Sequence, residues 1–552
     1  MERNQIIALV VIIVIVGSVA GYIYFFGPTP EAVIIMGTTD SVETNLDPAR
    51  AYDYFGWELI ISLSSPLVEI EPGSQAGADD IQPALAESWT MASDGLSWDF
   101  TLRQNVLFED GREFNASDVK YTFDRNCNLT GDGLLEEDGA QLALEYNLII
   151  KNVTVLSEFA VRFNLYQPFA PFLQLMSCAA SYIVDRVHAP KNETVWFESG
   201  DARASHPNGL GPFILESWTR SGGADVEFRL VKNPNYWNAA AGYPKSDEIV
   251  IKKYADATAL ATAMEAGDVD IAYRQLTAQQ IHSFMDNPDV RVWKGVGAQI
   301  QYMCFNQAFY PFNETAIRQG IAAALNRTNV VNTVFLGDFS PLYSIVPEGM
   351  AFHLPTFEVY GEANYSFTQS QLALFGYNET NKLVIEFYYE NEGHYPQSGQ
   401  QAAVYKTDLE ASGVITVNLH GLAWAQYREQ RDAETMPMYM YGWYPDYIDP
   451  DNYAFLPFAT WLHMNYDKDS PAGGTAQYNL WVDGRTASTP AERQTAYYDL
   501  QELQAVECSV IPLWQSDTTA VTKPTIHGVQ LDITVNWRHW LIYVGAAATT
   551  GP

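Results

Sequence analysis

Carboxylates and aromatic side chains alternate closely in one stretch of the sequence, from Tyr441 to Tyr453. Its acidic residues are Asp446, Asp449 and Asp451. A carboxylate between flat aromatic walls can bind an ammonium group or a sugar hydroxyl through a charge-assisted hydrogen bond. The residue types in this stretch therefore indicate a binding surface for a small polar or cationic ligand.

Two prolines, Pro445 and Pro450, exclude a helix interior for this stretch, because proline lacks a backbone N–H donor. The apolar run 436–441 just before it has the composition of a buried strand. A rigid strand that leads into a loop of aromatic and acidic residues is a common way to present a binding surface.

The polar residues of the stretch have different expected roles. Asp449, Asp451 and Asn452 fit turn and helix-cap positions, which are the usual roles of Asp and Asn. Asp446 lies outside the turn, four residues after Gly442, and we expect it to contact ligand. As an alternative, Asp446 and Asp449 form a candidate pair of carboxylates for glycoside or peptide hydrolysis.

Motifs for other chemistries are not found in the sequence. The chain contains no Gly-x-x-x-x-Gly-Lys phosphate loop, no Gly-x-Ser-x-Gly nucleophile elbow and no His-Glu-x-x-His zinc motif. Its nine histidines are scattered, and no pair has the spacing of metal ligands. We therefore expect no catalytic residue, no metal and no cofactor.

The composition predicts a large globular protein with an acidic surface. The chain has 552 residues, of which 47% are hydrophobic, so two or more lobes are expected. Its formal net charge of −35 leaves no basic face to neutralise phosphates, which excludes nucleic acid as a partner. Solubility in the external medium explains the acidity without reference to a ligand.

The four cysteines are widely spaced and contain no Cys-x-x-Cys pair, which argues against a zinc ribbon or a thioredoxin site. If the body of the protein lies outside the cell, disulfides can form. We expect the pairs Cys127–Cys178 and Cys304–Cys508, with buried thiols as the alternative.

An apolar segment without charge extends from Ile6 to Phe26 and is long enough to cross a bilayer as a helix. Arg3 precedes it and acidic residues follow it, which favours an N-terminus inside the cell and a body outside. Residues 1–30 are therefore expected to form a retained membrane anchor. Cleavage after the small residues Ser18-Val-Ala20, which would release the body, is the alternative.

The body carries many Asn-x-Ser/Thr acceptor sites, which are typical of a glycosylated exterior protein. The site at Asn326 is expected to lie on a packed helix and to be unusable. The remaining candidates for glycosylation are Asn115, Asn128, Asn152, Asn192, Asn313, Asn364 and Asn378.

Hydrophobic periodicity indicates an α/β body. Strict alternation predicts a strand at 98–103, and apolar residues at helical spacing predict helices at 317–325 and 402–412. The alanine-rich run 257–267 ends on glycine, as helices often do. A last long helix followed by a strand is expected within 490–514. Helices and strands mixed in this way are typical of an α/β fold.

A set of short motifs extends along the chain in a definite order and ends at the stretch Gly442-Trp443…Asp446…Asp449-Pro-Asp-Asn452. The earlier motifs lie at 81–89, 94–103, 106–119, 211–215, 232–237, 267–272, 305–306, 317–319 and 347–350. Taken together, they resemble the extracytoplasmic solute-binding proteins of ABC importers, specifically family 5, the dipeptide- and oligopeptide-binding group. The resemblance covers nearly the whole chain after the N-terminal segment.

The resemblance implies a two-lobed fold of the periplasmic-binding-protein type (class II) after the N-terminal transmembrane helix. Lobe 1 would comprise residues 31–303, including an extra subdomain at about 66–205. Lobe 2 would comprise residues 304–515, and the segment 516–552 would return to lobe 1. Ligand would bind in the cleft between the lobes and would be buried when a hinge closes.

The resemblance also implies roles for individual residues. In relatives that bind peptides, an aspartate at the position of Asp446 accepts the α-ammonium group of the ligand, and such a bond is strong inside a dry cleft. Trp443 and Tyr447 would border this aspartate, and Tyr444 would stack on the ligand. Trp424 would line the cleft.

One difference from the dipeptide-binding relatives affects the expected ligand length. Those relatives carry an arginine on the helix that corresponds to 396–409, where it binds the ligand's C-terminal carboxylate. This sequence has Gln397, Gln400 and Gln401 in that region and no arginine. Longer peptides, held mainly by backbone hydrogen bonds and with Gln400 and Gln401 as contacts, therefore fit better. Glutamines beside aromatic residues would equally suit an oligosaccharide.

The sequence thus predicts an extracellular, membrane-anchored protein without catalytic activity, which binds oligopeptides and delivers them to an ABC permease in the membrane. An oligosaccharide-binding member of the same family is the first alternative. A surface hydrolase that uses Asp446 and Asp449 is the second.

Overall fold

The computed structural model describes residues 33–547 with gaps at 44, 75–79, 130–145, 192–207, 275, 468, 470–472 and 535. The predicted membrane anchor at 1–30 lies outside these residues, and so does the candidate glycosylation site at Asn192. Within the described ranges, no helix combines the length and the apolar character needed to span a membrane.

Strands of the described part form one large mixed sheet and three smaller sheets. They are β1 (Val33–Thr38), β2 (Val68–Ile70), β3 (Ile81–Pro83), β4 (Ala86–Met91), β5 (Ser97–Leu102), β6 (Ile150–Ser157), β7 (Ala160–Leu165), β8 (Phe213–Ser221), β9 (Ala224–Lys232), β10 (Glu248–Lys253), β11 (Ile271–Tyr273), β12 (Arg291–Phe305), β13 (Phe339–Pro341), β14 (Leu383–Glu390), β15 (Ile415–Leu422), β16 (Met438–Trp443), β17 (Val510–Thr522), β18 (Ile526–His527) and β19 (Tyr543–Val544). The large sheet has the order β15-β14-β16-β12-β17-β11-β1-β10-β9-β8, with β13 paired to β17.

Helices of the described part pack against these sheets and link their strands. They are α1 (Tyr54–Leu63), α2 (Ala116–Leu129), α3 (Tyr146–Ile149), α4 (Phe172–Ser177), α5 (Ala257–Ala266), α6 (Ala278–Met285), α7 (Thr315–Ala324), α8 (Arg327–Val334), α9 (Tyr365–Ala373), α10 (Ser398–Ala411), α11 (Trp424–Asp432), α12 (Asp451–Ala454), α13 (Gly474–Thr486) and α14 (Pro490–Glu507).

Two long strands, β12 and β17, run through the middle of the large sheet and connect its two halves. They pair antiparallel from Arg291 opposite Thr522 to Cys304 opposite Val510. Beyond β17 lie β11, β1, β10, β9 and β8 of lobe 1, and beyond β12 lie β16, β14 and β15 of lobe 2. The predicted lobe boundaries at 303/304 and 515/516 fall within these two strands, and their positions stay a prediction.

Lobe 1 buries a continuous apolar core around α1 and a four-stranded sheet with the order β4-β5-β7-β6. The alternation at 98–103 has the predicted effect, since Trp98, Phe100 and Leu102 point into this core. On the outer face of the same strand, Asp99 pairs with Arg162 at 2.6 Å. The period of two thus places one face of β5 inside and the other in solvent.

Lobe 2 has its own core, formed by α7 to α10 and α14 against β12, β14 and β16. On α10, the buried residues Ala402, Tyr405 and Leu409 recur at helical spacing, as the sequence predicted. Local signals determine several helix ends. Thr489 caps α14 in a capping box with Glu492, with Pro490 in the first turn.

The predicted disulfides are not formed among the described cysteines. Cys304 on β12 belongs to an apolar cluster on one face of the sheet, whereas Cys508 at the end of α14 belongs to the lobe 2 core on the other face. Neighbouring residues on a strand point to opposite faces, so the two sulfur atoms are separated by the sheet. The thiol of Cys178 donates instead to the carbonyl oxygen of Leu175 at 3.1 Å.

Candidate functional site

Asp446 lies in the loop that follows β16, and protein encloses its carboxyl group almost completely. The residue is 9% exposed. Its carboxylate accepts a hydrogen bond from Asn452 Nδ2 at 3.3 Å, while its backbone N–H donates to Asn452 Oδ1 at 2.8 Å. Burial raises the pKa of Asp446 to about 7, although hydrogen bonds from Asn452 and Tyr52 oppose the shift.

Lobe 1 contributes two tyrosines that close over the Asp446 loop. The hydroxyl of Tyr52 acts on the Asp446 side chain and opposes the rise of its pKa. Two residues further, the hydroxyl of Tyr54 donates to the carbonyl oxygen of Pro445 at 2.6 Å, and its ring lies 4.7 Å from that of Tyr444. Asp446 is therefore enclosed from both lobes at once.

The groups that surround Asp446 are uncharged at neutral pH. None of the ion pairs formed by described residues involves Asp446, and no cation contributes to the shift of its pKa. The side chains that interact electrostatically with Asp446 are those of Asn452, Tyr52, Tyr54, Tyr453 and Cys178. No positive charge of the protein compensates this buried carboxylate, so a cationic group of a ligand would stabilise its ionised form.

The other polar residues of the loop hold its shape, as expected from turn and cap chemistry. Asp449 is fully buried and pairs with Arg493 at 2.5 Å. Asp451 accepts a hydrogen bond from the Tyr447 hydroxyl at 2.7 Å and lies 3.5 Å from Arg485. The guanidinium of Arg493 thus already pairs with Asp449 within the protein, which argues against Asp446 and Asp449 as a pair for hydrolysis.

Asn452 has a role beyond the predicted turn. Its Oδ1 accepts a hydrogen bond from the indole Nε1 of Trp443 at 3.1 Å as well as the one from the backbone of Asp446. The side chain therefore fixes Trp443 and Asp446 relative to each other. Of the expected neighbours, Trp443 and Tyr444 are half-buried beside Asp446. Tyr447 is buried and packs edge-on against Phe169 of lobe 1, with ring centroids 6.5 Å apart.

Four aromatic residues of lobe 2 form a chain of ring contacts, which we call the aromatic wall: Trp424, Tyr441, Trp443 and Trp461. Trp443 stacks on Trp461 at 5.4 Å, Trp461 lies 5.4 Å from Tyr441, and Tyr441 lies 5.9 Å from Trp424. The sequence predicted Trp424 and Trp443 as ligand contacts, and the structure brings them together through Tyr441 and Trp461.

The two glutamines predicted as ligand contacts have different surroundings. Gln401 is fully buried in lobe 2, where its Oε1 accepts from Trp514 Nε1 at 2.7 Å and its Nε2 donates to Pro396 O at 2.6 Å. Both ends of its amide are used within the protein, so the prediction for Gln401 was wrong. Gln400 is exposed on α10, and its contact with ligand stays a prediction.

The loop between β14 and α10 was not predicted to be part of the site. The carboxylate of Glu390 accepts hydrogen bonds from the backbone N–H groups of residues 392–395 at 2.8 to 3.2 Å and from Ser398 Oγ at 2.7 Å. This network places the ring of His394 flat on Trp424, with centroids 3.7 Å apart. His394 is itself exposed to solvent, so its ring covers one face of Trp424 at the surface.

A charged cluster in lobe 1 was also missed by sequence reasoning. Arg274, directly after β11, pairs with Glu58 and lies 3.4 Å from Asp40, which follows β1. Its guanidinium lies 5.3 Å from the ring of Tyr54, on which both Arg274 and Asp446 act electrostatically. Ligands of α/β proteins commonly bind at the carboxyl ends of parallel strands, and this position is the signal that could have identified the cluster.

One group of potential metal ligands occurs among the described residues. Oxygen and nitrogen atoms of Asp110, Asp185 and His188 lie within 4.8 Å of one another. Asp185 already pairs with Arg112 at 2.5 Å and with His188 at 2.6 Å, and it accepts from Asn208 at 3.0 Å. The cluster therefore forms an ion-pair network that has its own cation.

Comparison with known proteins connects this architecture to a family. The model of bacterial extracellular solute-binding proteins, family 5, matches residues 80–461, which is more than half of the chain. The probable D,D-dipeptide-binding periplasmic protein DdpA of Escherichia coli K12 is 26% identical over 90% of this chain and 91% of its own length. Heme-binding protein A of Haemophilus influenzae is 27% identical over 70% of each chain.

Solved structures share the two-lobed fold. The periplasmic binding protein DppA from Helicobacter pylori, solved in complex with the peptide STSA, superposes with a TM-score of 0.75 at 21% identity and covers 93% of this chain and 98% of its own. NikA from Brucella suis, in complex with Fe(III)-EDTA, gives a TM-score of 0.78 at 19% identity, with coverages of 93% and 99%.

These relatives are binding proteins rather than enzymes, and the family works outside the cytoplasmic membrane. The α/β two-lobed fold and the family resemblance predicted from the sequence are thus confirmed. This chain is a member of family 5 of the bacterial extracellular solute-binding proteins and, like its relatives, serves to bind a solute.

Proposed function

We propose that this protein captures oligopeptides in the cleft between its lobes and that Asp446 accepts the α-ammonium group of the peptide. The observation that carries the proposal is a carboxyl group that is 9% exposed, has neutral neighbours and has a pKa of about 7. An incoming ammonium group would form a charge-assisted hydrogen bond with it and would restore its ionised form.

Closure of the cleft follows from the same contacts. Asp446 belongs to lobe 2, whereas Tyr52 and Tyr54 reach its loop from lobe 1. A ligand held by Asp446 would therefore gain its last contacts only when the lobes approach. Binding energy would be linked to closure in this way, since a ligand shifts a conformational equilibrium by its differential affinity for the two states.

Peptides longer than two residues fit the cleft better than a dipeptide. The helix α10 has glutamines and no arginine at the position expected to hold a ligand carboxylate, and Gln400 is exposed there. The aromatic wall offers flat apolar contact area that tolerates different side chains. Relatives named as binding D,D-dipeptides, di- and tripeptides and glutathione support a peptide-like ligand.

An oligosaccharide is the second candidate ligand. The observation that favours it is the aromatic wall, in which Trp443 and Trp461 stack in a row with Tyr441 and are partly exposed. Flat aromatic faces beside amide side chains suit sugar rings. This alternative leaves the uncompensated carboxyl group of Asp446 without a cation, so we rank it below the peptide.

Delivery to an ABC permease and retention at the membrane complete the proposal. Family membership supports delivery to an ABC permease. The uncharged apolar segment Ile6–Phe26 supports anchoring by the N-terminus, with secretion after cleavage as the alternative. Sequencing the N-terminus of the mature protein from membrane and medium fractions distinguishes the two.

Glycosylation of the body stays a proposal that is limited by exposure. Asn128, Asn152, Asn313 and Asn378 are exposed and accessible to a transferase. Asn115 and Asn364 are only partly exposed, which makes them less accessible. Mass spectrometry of the purified protein would identify the sites in use.

The test compares peptides with a free and with an acetylated N-terminus by isothermal titration calorimetry. Asp446→Asn is expected to weaken binding of the free peptides by at least about tenfold and to leave the acetylated peptides nearly unchanged, because only the former carry an ammonium group. Asp289→Asn, the same change at an exposed position, serves as the control. Equal losses for both kinds of peptide would refute the proposal.

A further inference from the structure

Two glutamines on β12, Gln299 and Gln301, are buried with incomplete hydrogen bonding. Gln301 is 0% exposed, and neither its Nε2 nor its Oε1 has a hydrogen-bond partner. Gln299 is 5% exposed, and its Nε2 also lacks one. A buried amide without a partner is unfavourable and rare in folded proteins, so these atoms indicate a place where another polar group binds.

The strand register places both side chains beside the Asp446 loop. Residues two apart on a strand share a face, so Gln299 and Gln301 point the same way. Gln301 pairs with Gly442, and Ile300 pairs with Trp443. Because the strands are antiparallel, Gln299 lies at the level of residue 444, two residues before Asp446.

Aromatic side chains flank the two amides. A Cβ atom at Gly442 would lie 2.5 Å from Cε1 of Tyr395, so the Tyr395 ring covers the strand opposite Gln301. On the other side, Trp514 of β17 pairs with Gln301, and its indole N–H is already bound to Gln401. On this face of β12, Gln301 and Gln299 thus carry buried polar atoms without a partner.

The chemistry of these atoms limits what they can bind. Gln301 offers N–H donors and a carbonyl acceptor, and Gln299 adds further donors. Their complement is an uncharged group with both a donor and an acceptor, such as a primary amide or a hydroxyl. At Gln301 both edges of β12 are paired, with β16 and β17, so the backbone of a peptide cannot add to the strand there. A side chain is the part of a peptide that can reach the amides.

We propose that Gln299 and Gln301 form a second subsite of the cleft, which binds an amide or hydroxyl side chain of a peptide whose ammonium group is held by Asp446. The subsite rests on the proposed function and deepens it, because it makes the protein selective for peptides with a neutral polar side chain near the N-terminus. The ring of Tyr395, which covers the strand opposite Gln301, forms an apolar wall beside that side chain.

The probes are trialanine, Ala-Gln-Ala and Ala-Ala-Gln, and the measurement is the Kd by calorimetry. We expect one of the two glutamine peptides to bind the wild-type protein at least about fivefold more tightly than trialanine, from the added hydrogen bonds. Gln301→Leu is expected to abolish that gain while it leaves trialanine within about twofold. Gln279→Leu, the same change at an exposed position of α6, is expected to keep the gain.

Thermal unfolding without ligand provides a second measurement. Since Gln301→Leu replaces an unpaired buried amide by an apolar group of similar size, its melting temperature is expected to equal or exceed that of the wild type. If this variant does not fold, Gln301→Met and Gln299→Leu are measured in its place. If the folded variants still bind the glutamine peptide more tightly than trialanine, the subsite proposal is refuted. It is also refuted if the wild type binds trialanine but binds neither glutamine peptide more tightly. Failure of all three peptides to bind the wild type overturns the proposed function and the subsite together.

Discussion

The hydroxyl of Tyr54 in lobe 1 donates a hydrogen bond of 2.6 Å to the carbonyl oxygen of Pro445 in lobe 2. The two residues are 391 positions apart in the sequence, and the accepting carbonyl directly precedes Asp446. The ring of Tyr54 also contacts that of Tyr444 at 4.7 Å. This contact joins the lobes next to the carboxyl group that we propose as the ammonium site, so it stabilises the closed arrangement where ligand would bind.

Removing the hydroxyl of Tyr54 should loosen the closed state. Tyr54→Phe keeps the ring contact with Tyr444 and loses one hydrogen bond, which contributes about 0.5–1.5 kcal/mol. We expect peptide affinity to fall by about two- to tenfold, mainly through faster dissociation measured by surface plasmon resonance. Tyr543→Phe, at a residue that is 39% exposed, should change neither the association rate nor the dissociation rate of the peptide. An unchanged dissociation rate in Tyr54→Phe would contradict the assignment.

The pH dependence of stability without ligand should reveal the buried carboxyl group. The pKa of Asp446 rises from its ordinary 3.8 to about 7 in the folded protein, so the folded state binds more protons than the unfolded state between about pH 4 and 7. Stability from this group is therefore lost as pH rises through that window. Asp446→Asn should be more stable than the wild type at pH 7.5, by at most a few kcal/mol.

The measurement is thermal unfolding of both proteins at several pH values from 4.5 to 7.5. The difference between the two melting temperatures should shrink as pH falls, because the wild-type carboxyl group becomes protonated and resembles the amide. A difference that stays constant over this range would mean that Asp446 is not the buried titrating group.

Peptide binding should show the opposite dependence on pH. An ammonium group binds the ionised carboxylate, so the affinity for peptides with a free N-terminus should increase from pH 5.5 to about 7.5, as Asp446 loses its proton. N-acetylated peptides should show no such increase, and neither should free peptides with Asp446→Asn. Calorimetry at each pH gives the affinities. A parallel rise for acetylated peptides would assign the titration to another group.

The ion pair between Asp449 and Arg493 should be a structural requirement of the loop. Both groups are buried, with oxygen and nitrogen 2.5 Å apart. Asp449→Ala leaves the guanidinium without its partner and should lower the free energy of unfolding by about 3–5 kcal/mol. Asp99→Ala breaks the exposed pair with Arg162 and should lower the free energy of unfolding far less, because solvent screens that pair. Denaturant unfolding measures the free energy of unfolding of the two variants. Equal decreases in Asp449→Ala and Asp99→Ala would contradict the prediction.

Gly442 should tolerate no side chain. A Cβ atom there would lie 2.5 Å from Cε1 of Tyr395, so Gly442→Ala forces that ring away from the strand and should lower the free energy of unfolding by about 1–3 kcal/mol. Peptide affinity should fall as well. Gly399→Ala, whose Cβ would be 3.5 Å from the nearest atom, should be neutral or stabilising on α10. Thermal unfolding separates the two, and similar melting temperatures would contradict the prediction.

Features that depend on neighbouring residues could be predicted from the sequence. The strand at 98–103 and the helix α10 follow from the period of their apolar residues, and α14 starts at a Thr-Pro signal. The loop after β16 was predicted from its prolines, and its acids were assigned between turn and ligand roles. The ordered set of motifs was enough to identify the family.

Contacts between distant segments were decided by the tertiary structure alone. Tyr52 and Tyr54 meet the Asp446 loop only because β12 and β17 bring two lobes together, and no local pattern marks them as partners. Gln401 turned into the core rather than the cleft, and Cys304 and Cys508 lie on opposite faces of a sheet. Short-range periodicity determines which face of an element is buried, but which face meets which depends on how the elements pack. The sequence therefore determined the elements, the family and the candidate acid, and only the packed structure determined what surrounds that acid.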